Sequence, residues 1–290
     1  MNGILIVNKS KGYTSHDIVA KVKKITGEKV GHTGTLDPLA TGILPLLIGK
    51  GTLCSRYLMN HDKTYKVVLK LGIKKSTGDE EGDIIQEDVV DEGILDENNV
   101  KTVLESFLGE QEQIPPIYSA IKVNGKKLYE YARKGQNVEI KPRRINIYDI
   151  KLLKIDKEGT EIQFEVSCSK GTYIRTLCED IAERMGTVGY MKELQRTRVG
   201  IFIIEQSVLV EDLNKENVEK HIITIENLFK DLENIELNER KLQLFFNGVK
   251  LSFDLEDGLY KIYSNQQFIG IGILKDHLLK RDIIINEKWA

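Results

Sequence analysis

The chain has 290 residues, more than most single compact cores hold and fewer than three domains need, so one large domain and one small one are expected. Hydrophobic residues make up 41% and charged residues 30%, the balance of a soluble globular protein, and no run approaches the roughly 18 apolar residues of a membrane helix, so a membrane protein is excluded. A net charge of −2 does not by itself suggest a polyanionic partner.

The first residues, MNGILIVNKSKG, lack a basic region leading into an apolar stretch and a small-residue cleavage site, so export is not expected. Ile4 to Val7 reads as a short strand running into a turn, Asn8 to Gly12. Thr14 or Ser15 can then cap a helix from His16 to Ile25 that stops at Gly27. Gly31 to Thr41, rich in Gly and Thr and carrying Pro38, reads as an irregular loop. Tyr65 to Gly72 alternates as a strand, and Val100 to Leu108 has a helical pattern. Pro115-Pro116 ends whatever precedes it, and Lys126 to Lys134 fits a short basic helix. Ile145 to Ile155 and Thr160 to Ser169 are two strands with a hairpin turn at Asp156 to Gly159. Thr172 to Met185 follows as a helix with Ile174, Leu177, Cys178 and Ile181 inward. Residues 205 to 239 hold ten acidic residues against three Lys and are expected to contain the domain boundary. Beyond it, runs such as LYKIYS and QFIGIGIL, punctuated by glycines, predict a small β-rich barrel or sandwich. Helices and strands mix without a βαβ beat, which predicts the α+β class.

Charge is strongly blocked along the chain. Met1 to Lys75 carries thirteen Lys or Arg against four acidic residues, residues 79 to 112 carry one against thirteen, and Ile121 to Arg144 carries eight against two. Such blocks can present a positive face to a nucleic acid; they can equally be ordinary solvated surfaces. The three cysteines, Cys54, Cys168 and Cys178, are odd in number and form no CxxC pair, which argues against a disulfide framework and a cysteine-rich zinc site and for the cytoplasm.

Several familiar chemistries are excluded. Gly49-Lys50-Gly51-Thr52 lacks the spacing of a phosphate-binding loop. Ser15, His16 and Asp17 are contiguous and cannot converge as a triad, and no GxSxG is present. The five His show no HxxxH or HExxH spacing, so no metal is expected. What remains is the loop Gly31 to Gly42, in which Asp37 is the one carboxylate among small, apolar and hydroxyl residues; its nearest acidic neighbours are Glu28 and Asp62. A carboxylate so isolated serves as a nucleophile or base when an Arg pairs with it; it can also cap a turn before Pro38 and do nothing else.

The stretch GHTGTLDPLATGILP closely resembles the signature of the TruB family of tRNA pseudouridine synthases. Other segments similar to that family recur in the same order: VNKSKGYTSHDIVAKVK, DKTYKVVLKLG, IPPIYSAIKVNGKKLYEYARKG, CSKGTYIRTLCEDIAE and ELQRTRVG, together spanning residues 3 to 200. The resemblance implies an enzyme that isomerises uridine 55 of the tRNA T loop to pseudouridine by base flipping, without a cofactor. Asp37 would then be the nucleophile, attacking ribose C1′ or the uracil ring. It implies further that Tyr65 stacks on the base, His32 inserts near the flipped nucleotide, Tyr173 lines the uracil pocket, Arg175 pairs with Asp37 and Thr197 lies against the target base. Lys9 is matched to a phosphate contact or a plain surface lysine, and Ser10 departs from the family's usual Pro. Asp79, in a segment where Ser76 and Lys75 replace the usual Asp and Thr, reads as a solvated turn.

The same resemblance makes residues about 113–144 an RNA-gripping insertion, with Lys126, Lys127, Arg143 and Arg144 on phosphates and Tyr118, Tyr129 and Tyr131 interleaved. The expected organisation is a mixed α/β pseudouridine-synthase catalytic domain over 1–231 and a PUA-like RNA-binding domain over 232–290. The expected protein is a cytoplasmic monomer acting on the tRNA T arm. Two rival functions are a tRNA-binding or folding protein without chemistry and a glycoside or nucleoside hydrolase. An isolated loop carboxylate is of no obvious use to the first, and no second carboxylate is evident for the second.

Overall fold

The computed structural model describes residues 1–59, 61–136 and 138–286, so the last four residues of the expected 232–290 unit lie outside the described ones. The fold is α+β. Its larger sheet runs in the order Val208–Leu209, Gly3–Lys9, Thr41–Ile48, Gly189–Val199, Lys63–Leu71, Glu161–Cys168, Arg143–Asp156 and Gly109–Gln113. Neighbours are antiparallel except at two places. Val7 and Asn8 run parallel to Val208 and Leu209, and Thr41 and Gly42 run parallel to Gln195 and Arg196.

Strict alternation decides which face each central side chain takes. In Glu161–Cys168, Ile162, Phe164, Val166 and Cys168 are buried, and in Lys63–Leu71 the same face carries Tyr65, Val67, Leu69 and Leu71. Helices Glu97–Glu105 and Ile174–Arg184 cover that face and close the main core. Thr64 and Lys66 therefore point the other way. Helix Ser15–Thr26 covers the amino-terminal end of the sheet; Thr14 caps it by accepting from the Asp17 amide, and Gly27 ends it with a left-handed φ of 71°.

Among the strands that escape the sequence reading, two lie inside the larger sheet. Thr41–Ile48 carries Pro45, which argues against a central strand because it has no amide to donate. Here Pro45 pairs with Ile6 in the ladder and its carbonyl accepts from the Thr33 amide. Gly189–Val199, GYMKELQRTRV, is too polar to read as buried, yet it joins the two halves of the sheet. The expected loop is also shorter than 31–41, since Val30–His32 pairs with Leu46 to Ile48.

The acidic stretch after Phe202 is no simple linker. Val208 and Leu209 pair with the first strand, Ile222 and Ile223 pair with its other end, and sheet membership changes only by Asn234. The smaller sheet has five strands, Asn234–Glu236, Gly258–Ser264, Gln267–Lys275, Leu278–Ile284 and Leu251–Ser252 in spatial order. Ile271 and Ile283 from it share a core cluster with Ile4, Ile6 and Ile43 of the larger sheet.

Candidate active site

The loop from Gly34 to Ala40 has little regular structure, yet nearly every residue in it is tied down. The Gly34 and Thr35 carbonyls accept from the Arg196 guanidinium at 3.1 and 3.5 Å. Leu36 is held at both backbone groups by the Ser15 hydroxyl, which accepts from its amide at 2.8 Å and donates to its carbonyl at 3.1 Å. The Pro38 carbonyl accepts from the Lys9 ammonium at 3.1 Å and the Gly12 amide at 2.9 Å, and the Asp37 carbonyl from the Ala40 amide at 3.1 Å. A loop anchored through its backbone leaves its one carboxylate free for other work.

That carboxylate faces Arg175, whose Nε lies 3.3 Å from Asp37 Oδ2. Arg175 sits in the first turn of helix Ile174–Arg184 and is buried. Its Nη1 donates to the Thr77 carbonyl at 3.3 Å and its Nη2 to the Tyr118 carbonyl at 2.9 Å, and Nη1 forms an ion pair with Asp79 Oδ2 3.6 Å away. Asp79 corrects the expectation of a solvated turn: it is 5% exposed, accepts from the Thr77 hydroxyl and the Glu81 amide, and gives Arg175 a second carboxylate. The arginine is thus locked from behind while its Nε addresses Asp37.

Asp37, Arg175, Tyr65, Tyr118, Tyr129 and Tyr173 line one cavity of 480 Å³, with Met191 and Leu194 supplying apolar wall. Burial pushes the Tyr65 hydroxyl up to about 12, so it stays protonated at neutral pH. Tyr173 caps the arginine's helix; its amide donates to Gln113 Oε1 at 2.8 Å and its carbonyl accepts from Gln113 Nε2 at 3.1 Å. His32 ends the short strand and is not part of the cavity lining. Burial, followed by Arg196 and His16, lowers its pKa, and its Nδ1 is buried without a partner among the described residues.

Two other expected site residues also fall outside the cavity. Thr197 lies in a bulge between Arg196 and Arg198, where its hydroxyl donates to the Thr64 carbonyl at 3.3 Å and lines a different cavity. The bulge turns it to the face opposite Tyr65. Lys9 is neither a phosphate contact nor a surface lysine. It is fully buried, its ammonium donates to the carbonyls of Ser10, Tyr13 and Pro38, and burial lowers its pKa to about 8.

Other residues of the site do not stand out from the sequence. Ser15 reads there only as a possible cap, and Arg196 stands beside Thr197 in LQRTRVG. Strand alternation running back from Arg196 to Leu194 is the one signal that could put it on the cavity side. In the insertion, Lys126, Arg143 and Arg144 are exposed and Lys127 is half-buried against the Tyr129 hydroxyl. The segment is fastened to the cavity wall by the Tyr129 amide, which donates to the Ser119 carbonyl at 3.1 Å. Tyr131 bonds the Val123 carbonyl, so it packs the insertion itself.

Residues 22–174 match the family model described as TruB family pseudouridylate synthase, N-terminal domain, and residues 175–235 match the tRNA pseudouridylate synthase B C-terminal domain. A tRNA pseudouridine synthase B of Clostridium tetani is 44% identical over 279 residues, covering 94% of this chain and 95% of the relative. One from Caldanaerobacter subterraneus subsp. tengcongensis is 41% identical over 284 residues, covering 97% and 98%. Among solved structures, a chain of a Cbf5-Nop10-Gar1 complex superposes with a TM-score of 0.66 at 27% identity, over 94% of this chain and 78% of that one. Fold and sequence together define the class, a pseudouridylate synthase, and hence an isomerase. Within that class the chain belongs to the TruB family.

Proposed function

We propose that this chain isomerises uridine 55 in the T loop of tRNA to pseudouridine. The observation that carries the reading is the 3.3 Å contact of Arg175 with Asp37 inside a cavity walled by Tyr65 and Tyr173. At 480 Å³ the cavity falls within the roughly 300–1,000 Å³ of ordinary ligand pockets. A uridine stacked in a folded loop cannot meet a protein carboxylate, so it is flipped into the cavity, where Tyr65 stacks on the ring and Tyr173 lines the pocket. Uncharged His32 enters near the vacated position.

Asp37 is the nucleophile, at ribose C1′ or at the uracil ring. In either course the N1–C1′ bond breaks, a C5–C1′ bond forms, C5 loses a proton and N1 gains one, so the composition of the RNA is unchanged. Arg175, held by Asp79, keeps the carboxylate aimed while the base covers it. Lys126, Lys127, Arg143 and Arg144 grip phosphates and position the tRNA without reading its sequence. The catalytic unit covers residues 1–231 and a PUA-like RNA-binding unit follows from 232, a division supported by the change of sheet before Asn234. The protein works as a cytoplasmic monomer with no cofactor.

The test is to incubate the purified chain with unmodified tRNA, with no metal or nucleotide added, and to map pseudouridine. Complete conversion at position 55 is expected. Conversion only at another uridine would overturn the position, and no conversion anywhere would overturn the reading.

A further inference from the structure

We infer that Arg196 is a positioning residue that sets the Asp37 loop and the Tyr65 ring in register for the reaction, an inference that rests on the uridine-isomerase reading above. Arg196 is 1% exposed. Its Nε donates to the Ile43 carbonyl at 2.9 Å, while Nη2 and Nη1 donate to the carbonyls of Gly34 and Thr35. These acceptors flank Asp37 on both sides in the chain, so a single guanidinium spans the loop that carries the nucleophile. The backbone of Arg196 does the same from below. It pairs in parallel with Gly42, whose φ of 102° is a conformation that favours glycine, and a Cβ on residue 42 would collide with the Arg196 main chain. The guanidinium also addresses the Tyr65 hydroxyl, an interaction that opposes the lowering of its own pKa by burial.

Among the described residues no carboxylate pairs with Arg196. A fully buried cation with neutral acceptors alone is costly, so an apolar residue would serve the core better if packing were all that mattered. What arginine adds is a planar fork of five donors that reaches three backbone carbonyls at once. A lysine is a point charge and cannot hold those groups at once. The Asp37 loop leads into Thr41–Ile48 and the stacking ring sits on Lys63–Leu71, and Arg196, on the strand Gly189–Val199 that lies between those two in the sheet, donates to the loop carbonyls and interacts with the Tyr65 hydroxyl.

The test uses the full chain with Arg196→Lys and Arg196→Ala, measuring kcat, KM and equilibrium tRNA binding, with thermal unfolding to confirm that each variant folds. Arg196→Lys is expected to lower kcat by at least about 100-fold, the penalty of a loop displaced by about 1 Å. KM and tRNA affinity should stay within about threefold, because the phosphate-gripping residues lie elsewhere. Guanidinium ion at millimolar concentration should raise the kcat of Arg196→Ala by at least about tenfold, and ammonium should not. A folded Arg196→Lys variant with wild-type kcat overturns the inference, as does a rise in KM alone or a failure of both variants to fold, which would make Arg196 a residue of the core. Wild-type turnover reports separately on the isomerase reading, and the ratio of variant to wild type reports on Arg196.

Discussion

Removing the Asp37 carboxylate leaves every anchor of its loop in place, because those anchors are backbone groups of Gly34, Thr35, Leu36 and Pro38. Asp37→Asn should therefore lower pseudouridine formation by at least about 1,000-fold while tRNA affinity changes by less than about threefold. A parallel loss of binding and activity would instead mark Asp37 as a residue of the fold. Tyr65 can be divided in the same way. Tyr65→Leu removes the stacking face, for which stacking on a base contributes about 1–3 kcal/mol, whereas Tyr65→Phe keeps the face and gives up only the hydroxyl that meets Arg196. Comparing kcat/KM of the two variants checks this: leucine should be the poorer by at least about fivefold, and equal activities would exclude stacking.

Among the elements, the first strand and the Asp37 loop are coupled through a single buried amine. Lys9→Met would orphan the carbonyls of Ser10 and Tyr13 and remove one of two donors to Pro38, costing about 1–3 kcal/mol at neutral pH. The cost should depend on pH. Below about 8 the amine is charged in both folded and unfolded chains. Between about 8 and the ordinary 10.5 the folded chain has released a proton that the unfolded chain still binds, so wild type becomes more stable relative to Lys9→Met as pH rises. Urea unfolding of both proteins at pH 7 and pH 10 measures the change, and a constant difference would show that burial leaves the amine at its usual value. Thr197 illustrates the opposite lesson: it adjoins Arg196 in sequence but a bulge places it on the other face of the sheet, beside Thr64.

For the whole molecule, blocked charge matters more than the net −2. The acidic side chains of 79–112 are exposed, apart from Asp79 in the site and half-buried Asp88, while the basic block after Ile121 hangs from the cavity wall. Neutralising Lys126, Lys127, Arg143 and Arg144 together should weaken tRNA binding and flatten its salt dependence, the slope of log affinity against log salt falling by roughly 0.7–0.9 for each phosphate no longer neutralised. Turnover at saturating tRNA should fall much less, since Asp37 and Arg175 lie in other segments. Affinity measured from about 50 to about 200 mM salt checks the slope; an unchanged slope would return the block to ordinary solvated surface.

The sequence alone determined most of the local structure and the chemistry to look for. Alternation placed Tyr65 on a strand, Thr14 or Ser15 and Gly27 bounded the first helix, and the resemblance of the Asp37 loop and of GTYIR to a known family pointed to the reaction, because hydrophobic period, caps and motif residues are written in neighbouring positions. Only the tertiary structure decided which side chains meet. It buried Lys9 and Asp79, turned Thr197 away, let Pro45 lie inside a sheet and brought Arg196, far along the chain, to the carbonyls around Asp37. Those outcomes depend on register, a bulge and the order of strands, and none of these is encoded in the spacing of any single segment.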